Sequence, residues 1–325
     1  MKDNYGRTIE YMRISVTEDC NMHCSYCRPA SKGQESCEET GGDIMTDEAI
    51  LNVVRAAVSC GIDRFKITGG EPLMRPGCPE LIGKMKRLEG VSLVTLTTNG
   101  LLLEKQLERL VAAGVDAVNV SLDTLIPETY EHLTGIDGLD QVLKGIDAAL
   151  DAGLKLKINS VLMDKVNDHE WLDLLTLTRD RPVSVRFIEM MPIGHGNRQG
   201  LIPGESILSR MNNIFPDIMR DSASKGNGPA IYYKIAGYKG SVGLISAVHG
   251  KFCSDCNRIR MTADGRLKPC LSFSDSVDVR AAALDGDLTA IKEAIAQTVK
   301  AKPEGHRFDE PESITEKRSM DRIGG

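Results

Sequence analysis

The stretch Met12-Arg13-Ile14-Ser15-Val16-Thr17-Glu18-Asp19-Cys20-Asn21-Met22-His23-Cys24-Ser25-Tyr26-Cys27 sets a β-branched run directly before a C-x3-C-x2-C triplet. Read at period two, the run separates Met12, Ile14 and Val16 from Arg13, Ser15 and Thr17, the alternation of a strand with one apolar face. Similar runs return at 64–68, 93–98, 117–122, 154–161 and 183–188, ending at turns rich in Gly, Asn or Thr. Between them lie helix-like segments at 47–60, 79–88, 104–113, 139–152 and 168–178. The first is the clearest: Thr46 and Asp47 are N-cap candidates, Ile50, Val53, Val54, Ala57 and Val58 form an apolar stripe, and Gly61 closes it. Six β-then-α units without hairpin signals predict a parallel sheet with helices outside. Six rather than eight predict an α/β fold built as a partial, open (β/α)6 barrel.

Helices cover the outside of such a sheet, so its apolar face points outward and its polar face lines the interior. A plain barrel core is filled with Val, Ile and Leu. Here the inward face carries Arg13, Arg64, Lys66, Lys155, Lys157 and Arg186 among Thr95, Thr97, Asn119, Ser121 and Asn159. An unpaired buried charge costs several kcal/mol, and an opposite charge ~4 Å away recovers ~4 kcal/mol at an effective dielectric of about 20. The polar faces offer few acids, chiefly Asp123, so a polyanionic ligand is the expected partner. The plainer reading lets some outer cations snorkel to solvent. Parallel barrels place chemistry at the C-terminal strand ends, which nominates Thr17, Thr68, Thr97, Ser121, Asn159 and Arg186.

Composition narrows the function class. The 325 residues carry 40 basic against 46 acidic side chains, a net charge of −6, and aromatics at 4%. This argues against a general nucleic-acid partner. No uncharged apolar run approaches the ~18 residues that cross a bilayer, and the first residues lack a signal-peptide pattern, so a cytoplasmic, membrane-free protein is expected. Nine cysteines then need an explanation other than disulfides. Six fall in two trios, Cys20, Cys24, Cys27 and Cys253, Cys256, Cys270, while Cys37, Cys60 and Cys78 are scattered and read as small buried hydrophobes. Three close thiolates suit an iron–sulfur cluster or zinc. Because His23 and His249 are available as fourth ligands, zinc stays the competitor. After about residue 191 the pattern changes to a loop at 192–200, a helix near 204–214, a Ser/Gly/Asn-rich linker at 221–229, strands at 230–235 and 242–247, and helices at 278–283 and 289–299. The highly charged stretch 302–322 has little periodicity and is expected to be mobile. Two domains are expected, 1–190 and 191–325.

The first triplet with Tyr26, followed by Thr68-Gly69-Gly70-Glu71-Pro72, resembles the signature of the radical S-adenosylmethionine (SAM) superfamily. The resemblance implies a [4Fe–4S] cluster held by Cys20, Cys24 and Cys27, whose open iron chelates SAM. The second group, Cys253-Ser254-Asp255-Cys256-Asn257-Arg258-Ile259-Arg260 with Asp264-Gly265-Arg266-Leu267-Lys268-Pro269-Cys270-Leu271, and the closing Ile323-Gly324-Gly325, resemble the GTP 3′,8-cyclases of molybdenum-cofactor biosynthesis. That likeness implies a C-terminal α+β extension whose second [4Fe–4S] cluster, on Cys253, Cys256 and Cys270, presents an open iron to guanine.

By position, Tyr26, Gly70, Ser121 and Met191 resemble SAM contacts. Arg13, Lys66, Thr97, Lys157, Arg258 and Arg260 resemble GTP contacts, and Arg186 lies in a matching Arg-Phe-Ile-Glu segment. Arg258, Arg260, Gly324 and Gly325 are the implied catalytic group. The implied reaction is a lyase cyclisation: a 5′-deoxyadenosyl radical takes hydrogen from the ribose 3′ carbon of GTP, and the sugar radical adds to carbon 8 of guanine. Implied partners are GTP, SAM, a reductant of unknown identity and the next enzyme, cyclic pyranopterin monophosphate synthase; a homodimer is allowed. The alternatives are another radical SAM enzyme with one auxiliary cluster, such as a peptide-modifying one, or a zinc-stabilised binding module without catalysis.

Overall fold

The computed structural model describes residues 1–29, 44–196, 200–222, 226, 228–250 and 252–324. The six expected strands are present as β1 (Tyr11–Ser15), β2 (Arg64–Thr68), β3 (Leu93–Thr98), β4 (Ala117–Ser121), β5 (Leu156–Val161) and β6 (Ser184–Ile188). They pair in sequence order, each parallel to the next. Helices α1 (Asp47–Ser59), α2 (Cys78–Lys86), α3 (Leu103–Ala113), α5 (Leu139–Asp151) and α6 (Trp171–Asp180) alternate with them. The Thr46 side chain caps α1 by accepting from the Ala49 N–H. Met12, Ile14, Phe65, Ile67, Val94 and Leu96 are fully buried, as the outward apolar face of a helix-covered sheet must be.

The C-terminal segment adds its own strands to the same sheet rather than building a separate one. It contributes α7 (Gly204–Ile214), β7 (Met219–Asp221), β8 (Ile231–Lys234), β9 (Ser241–Ile245), β10 (Arg258–Met261), β11 (Arg266–Lys268), β12 (Val277–Asp278), α8 (Arg280–Asp285) and α9 (Leu288–Lys300). Strand β9 pairs parallel with β6, and β10 pairs parallel with β1. The order is therefore β12-β11-β10-β1-β2-β3-β4-β5-β6-β9-β8-β7. Arg258-Ile259-Arg260-Met261 repeats the cation/apolar alternation of β1, a period-two signal short enough to be hidden by the cysteine motif beside it.

Two expectations are corrected. A helix not anticipated, α4 (Pro127–Thr134), lies between β4 and α5, with proline at its start and Gly135 at φ +77° closing it. The charged stretch 302–322 is anchored rather than loose. Phe308 and Ile323 pack with Ile193 and Leu271 in a small apolar cluster. The Lys268 ammonium and the Glu316 carboxylate form an ion pair with both side chains buried. Periodicity could not reveal this, because the anchoring partners come from other parts of the chain.

Candidate active site

The inward strand face encloses a cavity of about 870 Å³. Arg13, Lys66, Lys157, Arg186, Arg258 and Arg260 all line it, with Thr95, Thr97, Asn119, Ser121 and Asn159 between them. Strand register brings the cations together: Arg260 is the partner of Arg13, and Arg13 is the partner of Lys66. Asn119 pairs with Lys157, and Asn159 with Arg186. Lys155 lines the cavity from an exposed position at its rim. Arg64 does not belong to this set. It begins β2, where it bonds Glu10 at 2.6 Å and turns away from the interior.

Among the described residues the cations of this cluster meet neutral groups: Arg186 hydrogen-bonds Tyr232, Lys157 lies over the Tyr232 ring 5.9 Å from its centre, and Arg260 holds the Gly324 carbonyl. Burial pushes the Lys66 ammonium well below its usual range, and Arg13, Arg186, Lys157 and Arg258 push it further. Burial, Arg13 and Arg258 do the same to Arg260. Buried Nε atoms of Arg13 and Arg186 have no hydrogen-bond partner. The acids that line the cavity are occupied. Asp123 accepts from the Tyr26 hydroxyl at 2.7 Å and the Val161 N–H at 2.8 Å, Asp116 pairs with Lys86, and Glu189 accepts the N–H groups of Gly204, Val248 and His249. Buried donors left unsatisfied cost ~1–3 kcal/mol each, so the chamber fits a ligand carrying several negative charges.

The first cysteine loop follows β1 at the C-terminal end of the sheet. Met22 is buried in the core, and the His23 and Ser25 N–H groups donate to the Thr134 and Leu133 carbonyls of α4. The helix missed in the sequence thus positions this loop; Ile126-Pro127-Glu128 and Gly135 were the signals that could have found it. The loop also rests on the Gly-Gly segment. Gly70 N–H donates to the Thr17 carbonyl and Glu71 N–H to the Asp19 carbonyl. A Cβ on Gly70 would meet the Asp19 carbonyl oxygen at 2.3 Å, so glycine is required for this approach. Glu71, fully buried, accepts from Leu73 N–H, Thr98 Oγ1 and Asn99 N–H, and burial raises its carboxyl to about 7. Sequence reading gave Glu71 no role of its own.

From this loop Tyr26 lines the chamber, as does Met191. Cys20, Cys24 and Cys27 are free thiols. Burial lifts Cys27 to about 12, with Asp321 and Cys20 adding to it, and lifts Cys24 well above the usual thiol range. A thiol held neutral in this way would ionise only if a metal centre supplied positive charge, and three thiols in one loop are the donor set that soft metal centres take. His23 is exposed, and its backbone N–H bonds the Thr134 carbonyl.

The second trio, Cys253, Cys256 and Cys270, lines the chamber beside Phe252, Arg258 and His306. Burial raises the Cys253 thiol too, but Cys256 differs. Burial alone would raise the Cys256 thiol, but Arg258 and Lys302 bring it to about 6. The His306 N–H reaches Cys253 Sγ at 3.3 Å. His249 is turned to Glu189, its Nδ1 lying 3.3 Å from Oε1. Among the described residues no group of three or more His, Cys, Asp or Glu, either cysteine trio included, is drawn close enough to hold a single metal ion.

The C-terminal tail reaches this region. Arg260 Nη1 donates to the Gly324 carbonyl at 2.5 Å. Gly324 sits at φ +70°, and a Cβ there would lie 3.1 Å from Thr68 Oγ1 and 3.2 Å from Ser15 Cβ, at the ends of β1 and β2. Gly325 and Cys37 lie outside the described residues. Cys78 is fully buried in the core and Cys60 packs against it. No helix among the described residues is long and apolar enough to cross a membrane.

Comparison with known proteins agrees with this layout. Residues 14–178 match the Radical SAM superfamily model, and residues 183–308 match the Molybdenum Cofactor Synthesis C model. A GTP 3′,8-cyclase of Alkaliphilus oremlandii is 40% identical over 329 residues, covering 100% of both chains. One of Geobacter sulfurreducens is 42% identical, covering 99% of both. Streptococcus suis SuiB bound to S-adenosylmethionine superimposes with a TM-score of 0.59 at 16% identity, over 84% of this chain and 64% of its own, a likeness of fold. The chain therefore belongs to the GTP 3′,8-cyclase family within the radical SAM superfamily.

Proposed function

We propose that the protein is a GTP 3′,8-cyclase that converts GTP into (8S)-3′,8-cyclo-7,8-dihydro-GTP, the first step of molybdenum-cofactor biosynthesis. The observation that carries the reading is the in-register row Arg260–Arg13–Lys66 in a chamber also lined by the second cysteine trio. Arg13, Lys66, Lys157, Arg186, Arg258 and Arg260 would bind the triphosphate as charge-assisted donors, relieving the repulsion that each imposes on the others. Tyr26, Gly70, Ser121 and Met191 would hold SAM, with Gly70 acting through its backbone. Thr97 would orient the ribose side of the nucleotide.

Residues 1–190 would carry SAM and a [4Fe–4S] cluster on Cys20, Cys24 and Cys27. Residues 191–325 would carry a second [4Fe–4S] cluster on Cys253, Cys256 and Cys270, placed to meet the purine. When bound, the first cluster supplies the electron that cleaves SAM to a 5′-deoxyadenosyl radical. The protein's own task is then to bring the ribose 3′ carbon within reach and exclude water from the radical. Arg260, by holding the Gly324 carbonyl, would keep the tail closed over the chamber, with Gly325 beyond it. The same reading places the enzyme in the cytoplasm, draws two electrons from a separate reductant, one to cleave SAM and one that with a proton quenches the cyclised nucleotide radical, and hands its product to cyclic pyranopterin monophosphate synthase; a homodimer is compatible with it. A peptide substrate would leave these cations without phosphate partners.

The test is anaerobic incubation of iron- and sulfide-reconstituted protein with SAM, dithionite and GTP, followed by mass analysis. A product isomeric with GTP, formed together with 5′-deoxyadenosine, is expected. SAM cleavage without any GTP-derived product would overturn the reading.

A further inference from the structure

Lys302 stands at the end of α9, where the Ala301 cap and Pro303 stop the helix, and its backbone N–H turns back to the Val299 carbonyl. The turn sends its side chain inward, leaving the residue 4% exposed. Its Nζ lies 2.7 Å from the Arg258 carbonyl, 3.0 Å from the Pro269 carbonyl and 3.7 Å from Cys256 Sγ. Lysine ammonium has three N–H donors, and these are three acceptors. They belong to the two segments that carry the second trio: Arg258 follows Cys256, and Pro269 precedes Cys270. Among the described residues no carboxylate pairs with this ammonium, although a buried charge without a counter-ion costs several kcal/mol. The sulfur within its reach is that of Cys256. At the first trio, among the described residues, Arg28 acts on Cys20 and Cys27 through its charge without a hydrogen bond to either sulfur, and a neutral Asn99 amide approaches Cys20 Sγ at 3.9 Å.

We infer that Lys302 is a charged positioning residue of the second cysteine centre: it fastens the Cys256 and Cys270 segments together and supplies the positive charge that stabilises the reduced form of the cluster bound there. The inference rests on the second-cluster reading given above. One-electron reduction makes such a cluster more negative by one charge, and hydrogen bonds and net charge around the sulfurs set its potential. A fixed ammonium against one sulfur therefore raises the potential of this centre relative to the same centre without it.

The test uses full-length protein carrying C20A/C24A/C27A, so that the second site alone binds iron. Reconstituted Lys302→Met and Lys302→Arg variants in this background are titrated with dithionite, following visible absorbance and electron paramagnetic resonance. The midpoint is expected to shift to lower potential in Lys302→Met and to return toward the parent value in Lys302→Arg. Loss of iron from Lys302→Met alone, with retention in Lys302→Arg, would equally support the need for charge. An unchanged midpoint in Lys302→Met, a midpoint in Lys302→Arg as low as that of Lys302→Met, or iron loss from both variants would overturn the inference. If the C20A/C24A/C27A parent itself binds no iron, the second-cluster reading fails, an outcome distinct from the others.

Discussion

Arg260 on β10 stands directly opposite Arg13 on β1, and Arg13 in turn faces Lys66 on β2. Neighbouring strands lie ~4.8 Å apart, and like charges directly opposite one another destabilise a sheet. A fold gains nothing from such a row by itself. Its retention makes sense as a site held ready for an anion whose binding is coupled to the relief of that repulsion.

Removing one charge should therefore stabilise the empty protein. Lys66→Met, which keeps the aliphatic stem, is expected to raise stability by about 1 kcal/mol, shifting the thermal midpoint upward by roughly 2 °C. The same variant should lose the additional stabilisation that GTP gives the parent. Differential scanning fluorimetry with and without GTP reads both effects. A lower midpoint in the empty variant would mean that Lys66 is compensated in a way the strand register does not suggest.

Arg258 and Arg260 separate substrate binding from cofactor cleavage. Replacing either with Ala should weaken GTP affinity at least tenfold, by ~1.4 kcal/mol or more, while SAM cleavage in the absence of GTP continues. Arg258 also stacks its guanidinium 5.2 Å from the centre of the Phe252 ring, so Arg258→Lys should recover only part of the affinity. Calorimetry with GTP, paired with 5′-deoxyadenosine quantification, measures the two properties independently. Unchanged GTP affinity in both Ala variants would contradict their assignment.

Loss of Gly324 and Gly325 removes the carbonyl that Arg260 holds. The truncated protein is expected to keep its full iron content and lose cyclisation, because the tail packs through Phe308, Ile323 and the Lys268–Glu316 pair upstream of the deletion. Iron analysis and product mass spectrometry together check this. A truncation with full cyclase activity would make the Arg260 contact incidental.

Glu71 gives a pH signature. Its carboxyl is raised to about 7 by burial, above an ordinary value of 4.5. Its contribution to stability is thus fully present below pH 4.5 and is lost as pH rises through 7. Glu71→Gln does not titrate and sets an amide nitrogen among the Leu73, Thr98 and Asn99 donors, costing ~1–3 kcal/mol. The difference in stability between parent and variant should accordingly be larger at pH 6 than at pH 8. Denaturant unfolding of the metal-free chains at both values measures it, and a difference that grows with pH would reverse the assigned shift.

Strand parity carried much of the site in the sequence. A strand alternates faces residue by residue, so Arg13, Lys66, Lys157 and Arg186 could be placed inside from spacing alone. Arg64 broke the pattern because a strand's first residue can reach rim acids such as Glu10. What escaped was set by partners distant in sequence. The tail is ordered through Leu271, Ile193 and Lys268, which no local pattern connects to it. Lys302 sits in what reads as a charged run, and its burial follows from how α9 docks. Strand β10 spans four residues, too few to stand out beside the cysteines that precede it.

The cationic chamber is proposed to hold GTP with its ribose 3′ carbon presented to the radical. GTP carrying deuterium at that carbon tests it most directly, in a single anaerobic turnover with SAM and dithionite. The expected result is 5′-deoxyadenosine heavier by one deuterium and a cyclised nucleotide lighter by one. Unlabelled 5′-deoxyadenosine beside intact labelled GTP would contradict it.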